Sequence, residues 1–146
     1  MLRPRQADWL YREVGMTSGT SKTDSEAYDL ASRTADAQRA NLPEWQRNQI
    51  SDDDMQVGET WFVWGFYCAM TDDTDRRKRL LVTYLNTKYP QVKNSEKIVE
   101  DIAKTAGEEN RLFDAIAAAG RQAYLEGGDS HLASIATIFL NVIRNH

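Results

Sequence analysis

The stretch WFVWGFYCAMTDDTDRRKR, residues 61–79, decides how the rest of the chain is read. An apolar run from Trp61 to Met70 passes into three acids, Asp72, Asp73 and Asp75, and then four bases, Arg76, Arg77, Lys78 and Arg79. A membrane span needs ~20 apolar residues, so a run of about half that length does not reach. A buried strand over 61–67 competes with a buried helix, because short apolar runs are ambiguous. Helical spacing puts Trp61, Trp64 and Cys68 on one face and Phe62 and Phe66 on another. Hydrophobicity on every side marks a buried helix. Upstream, Ser51 is the expected N-cap, with Asp52, Asp53 and Asp54 over the positive helix end. The reading is therefore a central core helix over about 52–70. Gly58 and Gly65 lower its propensity. They imply close approach of another helix or, at Gly65, a kink.

The charges after the run begin a new helix, with Thr71 or Asp72 as its cap. Leu80, Leu81, Tyr84 and Leu85 form its apolar stripe, and Pro90 ends it. The same signals recur on both sides. Pro4 to Val14 fits a first helix, followed by a small-residue loop at 15–23 that is expected to be mobile. Thr23 and Glu26 form a capping box for a helix over about 24–40. Its face, Ala27, Leu30, Ala31, Thr34 and Ala35, buries little, which predicts a peripheral helix. Residues 41–51 predict a short helical turn with Trp45 as an anchor.

Beyond Pro90, the KNSEK segment caps a helix that buries Ile98, Val99 and Ile102, and Gly107 interrupts it. A further helix over about 108–126 carries Leu112, Phe113, Ile116, Ala119, Ala123 and Tyr124. The last helix, from 129 onward, has a stripe from Leu132 to Ile143 broad enough for deep burial or an oligomer contact. Strand signals are scarce, and no repeat of fixed period is present. The fold class is all-α: a single-domain bundle, residues 1–146, of about six to seven helices around the central helix.

The totals agree with one soluble domain. The chain has 146 residues, 41% hydrophobic and 27% charged, with a net charge of −4. That balance disfavours nucleic acid as a partner, since phosphate binding needs a basic footprint. The one cysteine, Cys68, forms no intrachain disulfide. The charged N-terminus has no apolar core of a secretory signal, so a cytoplasmic protein is expected.

Catalytic constellations are missing. One Cys and two His cannot close a zinc site. His131, beside Ser130 and Asp129, reads as a first-turn residue of the last helix. The glycines of EGGDS lack the Lys and the spacing of a phosphate loop. Asp72, Asp73 and Asp75 are the runner-up metal set. Small helical nucleotide pyrophosphohydrolases hold Mg²⁺ with acids at i, i+3 on two helices, and no second set of that kind is found. Glu96 and Glu100 have i, i+4 spacing, and Glu108, Glu109 and Asp114 do not match. Hard cations need several converging oxygens, so capping explains the cluster better. No catalytic residue, metal or cofactor is assigned.

What remains points to binding. Trp61, Trp64 and Tyr67 are the candidate ligand-binding aromatics, weighed against simple core packing. Arg76, Arg77, Lys78 and Arg79 are the candidate partner-binding cations, weighed against a solvated turn. The expected function is a small non-enzymatic helical protein that binds another protein, of inhibitor, immunity or adaptor type. A helical ligand-binding domain with an aromatic pocket is the alternative, and a Mg-dependent hydrolase using 72–75 a further one. No nucleic-acid or membrane partner is expected. The C-terminal helix offers a route to a homo-oligomer.

Overall fold

The structure, a computed structural model, describes residues 23–40, 44–106 and 111–126. The helix expected at 4–14, nearly all of the 15–23 loop, the break at Gly107, the C-terminal helix and both histidines lie outside these residues. Among the described residues the chain is all-helical, without strands. Five helices have eleven residues or more: α1 (Asp24–Ala40), α3 (Asp52–Met70), α4 (Thr74–Lys88), α5 (Ser95–Thr105) and α6 (Arg111–Leu125). The four-residue α2 (Glu44–Arg47) bridges α1 and α3. No helix among the described residues is long and apolar enough to cross a membrane.

The local starts follow cap chemistry. Thr23 and Glu26 close the capping box reciprocally, each side chain accepting from the other's backbone N–H at 3.1 and 2.9 Å. Ser51 caps α3 by accepting from the Asp54 N–H at 3.1 Å. The cap of α4 is Asp73, whose carboxylate accepts from the Arg76 N–H at 3.2 Å. Thr71, by contrast, closes α3 as its C-cap. The start of α5 departs from expectation. Asn94 takes a left-handed backbone (φ 62) and makes no side-chain cap bond. Ser95 is buried and bonds the Asn86 side chain on α4 instead.

The apolar run folds as helix rather than strand, and every residue from Gly58 to Tyr67 is buried. α3 packs against α6 most extensively, and also against α4 and α1. Aromatic pairs mark the α3–α6 seam. Trp61 stacks on Phe113 with ring centroids 4.7 Å apart and planes 6° from parallel. Phe66 meets Tyr124 edge-on at 5.1 Å. α1 buries Ala27, Ala31, Thr34, Ala35 and Gln38. α5 packs chiefly on α4. Trp45 does not anchor α2: it is 56% exposed. Ile50, just beyond α2, enters the core instead.

Two glycines set the depth of the α3–α6 seam. A Cβ at Gly65 would run into the carbonyl of Ala117, and one at Gly120 into the carbonyl of Phe62. Each helix thus offers a glycine to the other's backbone, which is close approach rather than a kink. Overpacking costs about 1–3 kcal/mol, and here the obstruction is backbone, which yields least. Alanine returns up to ~1 kcal/mol of helix propensity. Gly120→Ala should therefore lower stability by about 2 kcal/mol, read as a drop in urea midpoint with an unchanged slope.

Candidate functional site

Two features stand apart from ordinary core packing: a buried charge network and an open apolar groove. The network centres on Glu59 of α3, whose side chain is wholly buried. Each carboxylate oxygen receives one cation and one hydroxyl. Oε1 meets Arg39 Nη2 at 2.6 Å and accepts from the Tyr89 hydroxyl at 2.8 Å. Oε2 meets Lys88 Nζ at 3.1 Å and accepts from the Tyr84 hydroxyl at 2.6 Å. Arg39 also donates to the Tyr89 hydroxyl at 2.9 Å, and Lys88 to Asp36 at 2.7 Å. Two acids and two bases balance. The network joins α1, α3, α4 and Tyr89 just beyond α4.

Burial, together with the neighbouring carboxylate, pushes the Tyr84 and Tyr89 hydroxyls well above the ordinary tyrosine range. Glu59 lines neither cleft described below. With both oxygens engaged and no exposed surface, it acts as a structural hub rather than a general base, which must reach a substrate proton.

The groove runs between α3 and α5 and encloses about 500 Å³. Val57, Thr60 and Trp61 supply its α3 wall, and Ile98, Ile102 and Thr105 its α5 wall. Leu85 of α4 and Val92 of the α4–α5 loop also line it. It is open, because Val57 is 43% and Ile98 37% exposed. Among the described residues Asp53 and Asp101 are the charged ones that line it, and both are exposed. Ile98 was expected inside the core. It sits one turn from the buried Ile102 but on the solvent edge of α5.

The expected aromatic trio is not brought together. Trp61 and Trp64 share a second, more polar cleft of about 380 Å³ with Cys68, Arg77, Asp114 and Arg121. Tyr67 lines neither cleft. It is buried, its hydroxyl has no hydrogen-bond partner, and burial raises its pKa, helped by nearby Tyr28 and Asp24. Cys68 is half-buried rather than buried. Burial raises its thiol pKa against the opposing pull of Arg77 and Arg121, so the unreactive thiol form is favoured.

The basic group does not face outward as a set. Arg77 donates to the carbonyls of Thr71 and Cys68 at 2.7 and 3.0 Å, closing the C-terminal end of α3. Arg76 and Arg79 pair with Asp24 of α1 at 3.5 and 3.4 Å. Lys78 pairs with Glu100 of α5 at 3.2 Å. The four side chains are straps between helices, individually weak where exposed. Among the described residues no three His, Cys, Asp or Glu side chains converge as a metal set. Asp73 caps α4, and Asp72 lies 3.9 Å from Arg77. Neither the groove nor the network of Glu59 is visible in the sequence alone, where Glu59 is one acid just ahead of the apolar run.

The chain matches no protein-family model, and neither a curated protein nor a solved structure is significantly similar to it.

Two outcomes follow from the network. Removing one partner of a buried pair costs about 3–5 kcal/mol. Glu59→Ala leaves Arg39 and Lys88 partly hydrated, at 34% and 16% side-chain exposure, so the loss should be near 3 kcal/mol by urea unfolding. The tyrosines set an alkaline limit. Unfolded tyrosine ionises near pH 10, while the folded hydroxyls hold their protons to higher pH. Their stabilisation is thus fully present below about pH 10 and lost as pH rises above it. The melting temperature should fall above about pH 10, less steeply in Tyr84→Phe.

Proposed function

We propose that this chain is a small, non-enzymatic helical protein that works by binding another protein, of inhibitor, immunity or adaptor type. The single observation that carries the reading is the open α3–α5 groove with its exposed aliphatic edges, Val57 and Ile98. An open groove walled mainly by aliphatic and aromatic side chains is the form that binding sites commonly take. In this reading residues 1–146 form one cytoplasmic domain of six to seven helices arranged about α3. A homo-oligomer through the C-terminal helix is part of the same proposal.

The 76–79 cations also make bonds within the chain, so in this reading the groove is the main contact and those cations a secondary one. A second reading, a site for a small apolar ligand, draws on the groove's size. About 500 Å³ falls within the usual range of small-molecule pockets, and Trp61 supplies an aromatic wall.

A photo-crosslinking residue placed at position 98 and expressed in the native host tests the reading. A discrete protein adduct is expected from position 98 and not from the exposed Lys104. Val57→Asp should weaken that adduct at least about tenfold, the loss typical of a central contact. It should change stability little, because Val57 is exposed. Equal labelling from both positions would refute the reading. Displacement of an apolar fluorophore from the groove by lipophiles, with no protein adduct, would establish the ligand reading instead.

A further inference from the structure

We infer that the occupant of the α3–α5 groove is an amphipathic helix of a partner protein, with aliphatic residues on one face and basic residues flanking them. The inference rests on the binding reading above and names its chemistry.

The walls are two helices, and among the described residues there is no strand edge for an extended peptide to join. Helix-in-groove recognition is the mode that such a trough supports, with anchors at i, i+3 or i+4, and i+7. The apolar edges Val57 and Ile98 stand on opposite walls. An inserted aliphatic face therefore meets matching surface on both sides.

Charge selects the flanks. Asp53 and Asp101 line the trough, no Lys or Arg among the described residues does, and Asp52 and Asp54 are exposed beside Asp53. The positive end of α3 offsets part of that charge. Lys97 pairs with Asp101 at 3.5 Å, with both side chains more than half exposed. Such a pair is weak and exchanges readily for a partner's cation. The field favours a basic occupant and repels an anionic lipid surface. A second copy of this chain is disfavoured as well, because each copy carries a net charge of −4 and two copies repel.

The test uses the full chain and three labelled helical peptides of about 18 residues, long enough for five turns. The first carries a Leu stripe flanked by Lys, the second the same stripe flanked by Glu, the third the Lys flanks with Ser in place of Leu. Fluorescence anisotropy at low salt should show the first binding at least about tenfold tighter than either of the others. The margin over the Glu peptide should shrink at about 0.5 M salt, where exposed charges are screened. Asp53→Lys with Asp101→Lys should reverse the preference between the Lys and Glu peptides. Ile98→Asp should abolish binding while circular dichroism stays unchanged, and Val57→Asp repeats that arm in the other wall.

Equal affinity for the Lys and Glu peptides, or no binding of any, overturns the inference. The position-98 crosslink judges the binding reading separately. Lys-peptide binding that survives Ile98→Asp also overturns it, as non-specific attraction. So does a dimer in sedimentation that Ile98→Asp dissolves, which would identify a second copy as the occupant.

Discussion

A carboxylate stripped of water has to be matched inside the protein, and Glu59 imposes that condition on three helices at once. Its two oxygens draw Arg39 from α1, Lys88 and Tyr84 from α4, and Tyr89 from the turn that follows. Each partner lies 20 or more residues away in sequence. The contact therefore forms only when the helices have found one relative register. This matters most for α1. Its buried face is largely alanine, and small side chains interlock weakly, so shape alone defines its position poorly. The polar network supplies the definition that the apolar face lacks.

The contact of α3 with α6 is held by different means. There the glycines bring α3 and α6 into backbone contact, and the Trp61–Phe113 and Phe66–Tyr124 pairs fill the remaining space. Trp61 belongs to both halves of the molecule. One of its surroundings is this seam, and another is the α3 wall of the groove. Core and candidate binding surface thus share a side chain, which couples the groove to the best-packed part of the fold.

The local physics of this fold was legible in the sequence. The Thr23–Glu26 capping box, the Ser51 cap, the helical rather than extended run at 61–70 and the end of α4 before Pro90 all depend on neighbours within a turn or two. The Asp73 cap was displaced by one or two residues, because Thr71 and Asp72 offer the same chemistry and the competition is settled by where α3 stops. Long-range partnerships were not legible. Nothing local to Glu59 announces Arg39 or Lys88, and nothing at Arg76 or Lys78 announces Asp24 or Glu100. Nothing in the sequence around Gly120 singles it out until Phe62 is set against it. The groove was hidden for a related reason: Ile98 and Ile102 share an apolar stripe, and only the packing of α5 on α4 leaves one of them at the edge.

The two walls of the groove differ in stiffness. The α3 wall is backed by a backbone-to-backbone seam with no intervening side chains at the two glycines, so there are no rotamers there to rearrange and little slack to take up. The α5 wall leans chiefly on α4 through side chains such as Leu85, Val99 and Ile102. Its start is a single left-handed residue, Asn94, rather than a side-chain cap. The two walls of the trough thus resist widening unequally: the α3 side is braced by main chain, while the α5 side rests on side chains alone.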